Sequence, residues 1–276
     1  MQRRQSPFPR SKVTKIISLS LRLSVIVMLI FQFFNRNYEN VLLCFLTLIL
    51  FQMPALFERR LNIDLPDTLE IVILFFIYAA EILGEIRAFY VHYPHWDTIL
   101  HTLNGFLCAA IGFSLVDMLN RGKRFSLSLS PFYMSIVAFC FSMTIGILWE
   151  FFEFSMDFFF RFDMQKDSIL NAISTVKLDP AGGVHPVVQS NITDVILVYQ
   201  DGTQQALGLG GFLDIGLFDT MQDLFVNFIG AVIFSFVGYF YVKTRGKGRF
   251  AKRFIPKVFT SPEIEAQKSE NPNKCE

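Results

Sequence analysis

The sequence predicts an all-α fold: a polytopic membrane helix bundle with about six transmembrane helices and a small β-hairpin insert on its outer face. Three observations predict it. Of the 276 residues, 52% are hydrophobic and only 18% charged, whereas soluble proteins carry about 25% charged residues. Phe occurs 33 times, far above ordinary usage. Six segments also reach, or nearly reach, the roughly 20 apolar residues that a helix needs to cross about 30 Å of hydrocarbon. They are Ile16–Phe34, Val41–Phe57, Leu69–Tyr90, Thr98–Leu119, Phe132–Phe159 and Leu217–Val242.

Residues 1–15 form a basic leader with Arg3, Arg4, Arg10, Lys12 and Lys15. The first span follows directly. No small-residue cleavage site lies in Asn35-Arg36-Asn37-Tyr38, so the segment is expected to remain as an anchor rather than leave as a signal peptide. Arg22, early in this span, can snorkel toward the cytoplasm. Arg59-Arg60 follow the second span, Arg121, Lys123 and Arg124 the fourth, and seven basic residues lie between Lys243 and Lys257 after the sixth. The alternate connections are nearly free of Lys and Arg. Because basic connections stay inside, both termini of this inner (plasma) membrane protein are expected in the cytoplasm.

The membrane domain therefore runs over residues 16–242 and is interrupted by an extracytoplasmic insert over 161–216. Within the insert, Val195–Gln200, Asp201-Gly202 and Thr203–Leu209 read as a hairpin, since Asp-Gly suits the positive φ values of a tight two-residue turn. The tail over 243–276 is first basic, then polar and disordered in character from Ser261 onward. With 25 basic and 24 acidic residues the net charge is +1, which excludes a global attraction to nucleic acid. The expected partners are membrane lipids. Cys44, Cys108 and Cys140 sit inside apolar runs and Cys275 in the tail, without metal-site or redox spacing.

Ionisable groups inside spans are costly and usually face a protein interior or a watery cavity. Here they fall in sets along single helix faces: Glu81 and Glu85 on the third span; Asp97, His101 and Asn104 on the fourth; Glu150, Glu153 and Asp157 on the fifth; Asp219, Asp223 and Asn227 on the sixth. With the termini inside, these ends of the four spans share the outer leaflet, and Glu81 lies deepest, as the floor of a pocket. Simpler readings stand beside this one. Asp97, Asp157 and Asp219 suit helix ends at the water boundary, Trp96 and Trp149 suit interfacial anchors, and Arg87 offers Glu85 an internal partner. Gly105, Ala109, Gly112 and Gly230 are small residues of the kind that let membrane helices approach closely.

Trp96-Asp-Thr-Ile-Leu-His101-Thr-Leu-Asn-Gly105, Trp149-Glu-Phe-Phe-Glu153 with Asp157, and Asp219-Thr-Met-Gln-Asp223 with Asn227-Phe-Ile-Gly-Ala231 resemble the signature stretches of the YjdF-like family of uncharacterised bacterial inner-membrane proteins. A weaker likeness links Asp97 with His101, and Asp223 with Asn227 and Gly230, to VanZ-like proteins, which are associated with glycopeptide resistance. The long insert and the basic tail depart from that pattern.

Several carboxylates with one imidazole suit a single divalent metal ion. The expected ligands are His101, Glu150, Glu153 and Asp223, with Asp97 orienting His101 and Glu81 or Glu85 acting as general base. Asn104, Asp157, Asp219 and Asn227 support the pocket. The corresponding function is a metal-dependent membrane enzyme acting on an envelope or lipid-linked substrate. A non-catalytic envelope or antibiotic-binding protein, as the VanZ-like resemblance implies, and a proton- or ion-coupled carrier are the alternatives. No inverted repeat supports the carrier.

Overall fold

The computed structural model describes residues 11–61, 63–121, 129–244, 248 and 250–258. Arg3, Arg4, Arg10, Lys123, Arg124 and the tail from Ser261 lie outside the described residues. The chain divides into two compact units, residues 1–146 with 226–276, and residues 147–225. Among the described residues, five helices are long and apolar enough to cross a membrane: Lys12–Phe34, Tyr38–Arg60, Trp96–Asn120, Pro131–Phe160 and Leu217–Lys243.

In the first unit, α1 (Lys12–Phe34) starts at Ser11, whose hydroxyl accepts the amide of Thr14. The second span comprises α2 (Tyr38–Leu50) and α3 (Met53–Leu61). Pro54 explains the break: it has no N–H for the Leu50 carbonyl, and its ring crowds that carbonyl. Arg22 does more than reach toward water. Its Nη2 donates to the Phe51 carbonyl at 2.6 Å and its Nε to Ser18 Oγ at 3.2 Å, which ties the first span to the break in the second.

The third span departs from one regular helix over Leu69–Tyr90. It is α4 (Asp67–Tyr78), continued by a π-helix over Ala79–Ile86 in which the Arg87 amide bonds the Ile82 carbonyl, five residues back. Ala88 then adopts a left-handed conformation, φ 54°, which an L-residue does not propagate into a helix. A single turn, α5 (Phe89–His92), leads to α6 (Trp96–Arg121). α7 (Pro131–Phe160) and α8 (Leu217–Lys243) each pass from one unit into the other.

Two contacts bring distant parts of this unit to one end. Asp67 Oδ1 accepts the Thr14 hydroxyl at 2.6 Å and the Ser11 amide at 3.3 Å. β1 (Ile63–Asp64) pairs antiparallel with β8 (Lys257–Val258), beyond α8. The start of α1, the start of α4 and the chain after α8 therefore share an end, as an even number of crossings between them requires. The core of the unit joins α4, α6, α7 and α8 through Leu69, Phe113, Met134 and Phe234, all fully buried. A smaller cluster of Val25, Cys44, Phe51, Leu74 and Ile82 joins α1, α2, α4 and the π-helix. Leu19, Leu23, Phe31 and Phe45 stand exposed along α1 and α2, as a lipid-facing surface requires.

In the second unit, the ends of α7 and α8 frame three antiparallel strand pairs. β2 (Ser168–Leu170) pairs with β7 (Phe212–Asp214), β3 (Ala172–Thr175) with β4 (Val187–Ser190), and β5 (Ile196–Val198) with β6 (Gln204–Ala206). The β5–β6 hairpin is the expected one, with a different turn. Only Gly202 has positive φ, 81°, and the loop closes through Gly202 N to Tyr199 O and Tyr199 N to Thr203 O, both 2.9 Å. Such a three-residue loop ends on a left-handed glycine. Asp201 stabilises it by accepting the Thr203 amide at 2.9 Å and the Thr203 hydroxyl at 2.6 Å.

Candidate functional site

In the first unit the polar face of α6 begins at Asp97 in the first helical turn, where a carboxylate is favoured by the helix dipole. Asp97 and His101, four residues apart, occupy one face. His101 is 8% exposed, and its Nε2 lies 3.5 Å from Asp97 Oδ1. One turn deeper, Asn104 Nδ2 donates to Asn227 Oδ1 of α8 at 3.3 Å, and Asn227 is 1% exposed. Trp96 is not simply an interfacial anchor, because its indole Nε1 is buried and has no hydrogen-bond partner among the described residues.

Small residues hold this seam together. A Cβ at Gly105 would run into the Asn227 backbone carbonyl; one at Gly230 would run into the Thr102 carbonyl and lie 2.8 Å from the Phe106 amide. Ser142 on α7 donates to the Gly105 carbonyl at 2.7 Å, and a Cβ at Gly146 would lie 2.7 Å from Asn227 Nδ2. Three helices thus meet around one buried asparagine. Sequence reasoning found Gly105, Gly230, Asn104 and Asn227 but missed Ser142 and Gly146. Their spacing, two small residues four positions apart on one face, was the available signal.

In the second unit, Glu150 and Glu153 of α7 and Asp223 of α8 are all buried, at 4%, 7% and 1% exposure. Glu153 accepts the indole N–H of Trp149 at 2.8 Å, so Trp149 orients a carboxylate as well as marking an interface. Asp157 accepts the amides of Met164 and Gln165 at 2.7 and 2.8 Å, and Asp219 accepts the next amide, Lys166, at 2.7 Å. The loop over 164–166 therefore brackets the end of α7 and the start of α8. Backbone donors answer the charge on Asp157 at this helix end. One turn inward from this bracket lie Glu153 on α7 and Asp223 on α8, at matching depth because the helices run antiparallel.

Glu81 and Glu85 occupy the π-helix of the first unit, which packs against α6. Glu81 is half-buried and Glu85 exposed. π-turns inside helices are frequent at functional sites, and this one carries both Glu81 and Glu85.

The model of the predicted membrane protein family DUF2238 matches residues 17–244. The chain belongs to this family. The match runs across all the expected spans and agrees with the resemblance to uncharacterised YjdF-like membrane proteins. No curated protein and no solved structure matches the chain. Family membership and the apolar helices together make it a membrane protein.

Proposed function

We propose that this family member is a membrane-embedded, metal-dependent enzyme acting on an envelope or lipid-linked substrate, with one divalent ion held by Asp97 and His101 of the first unit, each offering one ligand atom. The observation that carries the reading is the Asp97–His101 separation. At 3.5 Å it exceeds the range of about 2.7–3.2 Å for an orienting N–H···O bond. It matches the roughly 3.4 Å expected between two ligand atoms that each lie about 2.0–2.1 Å from one ion at a tetrahedral angle. Asp97 then acts as a ligand rather than as the orienting group that the sequence suggested.

A divalent ion held there would supply Lewis-acid polarisation of a phosphoryl or carbonyl oxygen of a bound substrate. Glu81 is the group placed for proton transfer, whereas Glu85, exposed at the end of the π-helix, is left out of that role. With both termini in the cytoplasm, this layer faces the outer leaflet.

The test is metal stoichiometry in detergent-purified protein equilibrated with Zn²⁺, Mn²⁺ or Mg²⁺ and then desalted. One ion per chain is expected, falling at least tenfold in His101→Ala. No bound ion at neutral pH, or binding by His101→Ala equal to that of the unaltered protein, would remove the proposal.

A further inference from the structure

Within the first unit α3, α4 and α6 enclose a cavity of about 210 Å³, open on one side. We infer that it holds one unbranched acyl chain of a membrane phospholipid, with the chain running along α6 toward Asp97 and His101.

The lining is almost wholly apolar, with Phe57, Ile73, Ile77, Leu107, Ile111 and Leu115 as its main walls. Its few polar residues make their bonds inside the protein. Asn104 donates to Asn227, Cys108 Sγ lies 3.4 Å from Asn104 Oδ1, and Ser114 donates to the Ala110 carbonyl at 2.6 Å. Water needs two to four polar partners to occupy such a space, and these walls do not offer them. Hydrocarbon does not need them.

The shape selects a chain. On α6 the lining extends from Asn104 to Met118, about 21 Å at 1.5 Å per residue, so a modest volume is drawn out along the helix. A long, narrow space favours an unbranched acyl chain over a methyl-branched one. The elements around it include two spans apolar enough to cross a membrane, Tyr38–Arg60 and Trp96–Asn120, which puts the cavity within the hydrocarbon layer that those spans cross. The polar end, Asn104, lies about one helical turn from His101, which would leave a headgroup or ester near the proposed ion. As a substrate subsite the cavity rests on the metal-site reading; as a lipid site it does not.

The experiment uses the full chain in phosphatidylethanolamine/phosphatidylglycerol vesicles that contain a phosphatidylethanolamine with a mid-chain diazirine, with adducts mapped by mass spectrometry after irradiation. Labelling on the stretch over 104–118 is expected at least fivefold above that on the outward Leu19 and Leu23, which are 67% and 58% exposed. Ile111→Trp, which fills the cavity, should lower that labelling at least fivefold; Ser114→Phe replaces it if the Trp variant does not fold. Enrichment no greater than at Leu19 and Leu23, or enrichment that neither filled variant lowers, overturns the inference. So does labelling by a diazirine farnesyl phosphate with none by the acyl probe. His101→Ala should keep the acyl labelling, so labelling that persists in a protein binding no metal would sink the metal reading alone.

Discussion

Replacing Gly230 by Ala tests the seam that positions the polar faces of α6 and α8. The added Cβ would enter the Thr102 carbonyl and stand 2.8 Å from the Phe106 amide. Both are main-chain atoms of a helix, so neither can rotate away, and the helices must separate. Overpacking costs about 1–3 kcal/mol, and the rigid neighbours place this site at the upper end. Separation also weakens the Asn104–Asn227 bond, worth about 0.6 kcal/mol on average between membrane helices. Better helix propensity returns about 1 kcal/mol. The expected net loss is about 2–3 kcal/mol, or roughly a 30- to 150-fold shift in the unfolding equilibrium at about 1.4 kcal/mol per tenfold. Reversible unfolding in mixed micelles reads this directly, with Gly248→Ala as control, since its Cβ would meet nothing nearer than 3.9 Å. Equal stability of Gly230→Ala and Gly248→Ala would refute the close-packed seam.

Three further outcomes are expected. Arg22→Leu removes the donor to the Phe51 carbonyl at the break before Pro54 and should destabilise by about 1–3 kcal/mol, with Arg22→Lys recovering part of the loss in the same micelle assay; no change in either variant would show that the bond contributes nothing. Asp157→Ala frees the amides of Met164 and Gln165, so hydrogen exchange at 164–165 should speed at least tenfold, and unchanged protection would contradict the bracket. The Asp201 carboxyl is held below the ordinary aspartate range, first by the Thr203 hydroxyl and then by the Thr203 amide. A depressed pKa gives stability that is fully present above the unfolded value of about 3.9 and is lost as pH falls through the folded pKa. NMR of the Asp201 carboxyl should thus show titration below that of an unfolded peptide, and Thr203→Val should raise it; a midpoint at or above the peptide value would refute the hairpin geometry.

The sequence made the helical faces readable because an i, i+4 repeat survives folding unchanged: Asp97 with His101, and Asp223 with Asn227, needed only the helical period. Gly105 and Gly230 were readable as close-packing positions for the same reason. The β5–β6 hairpin was visible through Asp201-Gly202, a local signal. β2 and β7 were not, since Ser168 pairs with Asp214 across the whole insert and neither strand carries a turn of its own. The π-helix over Ala79–Ile86 has no sequence signature of its own, so Glu81 and Glu85 were placed on an α-helical face. Asp157 and Asp219 were readable as helix-end carboxylates but not as loop anchors, because the amides that they accept, at 164–166, lie in a loop without periodicity.

The central claim is that Asp97 and His101 are ligands of one ion. Metal analysis of Asp97→Asn and His101→Ala beside the unaltered protein, each folded by the micelle assay, tests it most directly. One divalent ion per chain in the unaltered protein, with at least a tenfold loss in each variant, is the expected result. Full occupancy in either variant, or no ion in any of the three proteins, would contradict the account.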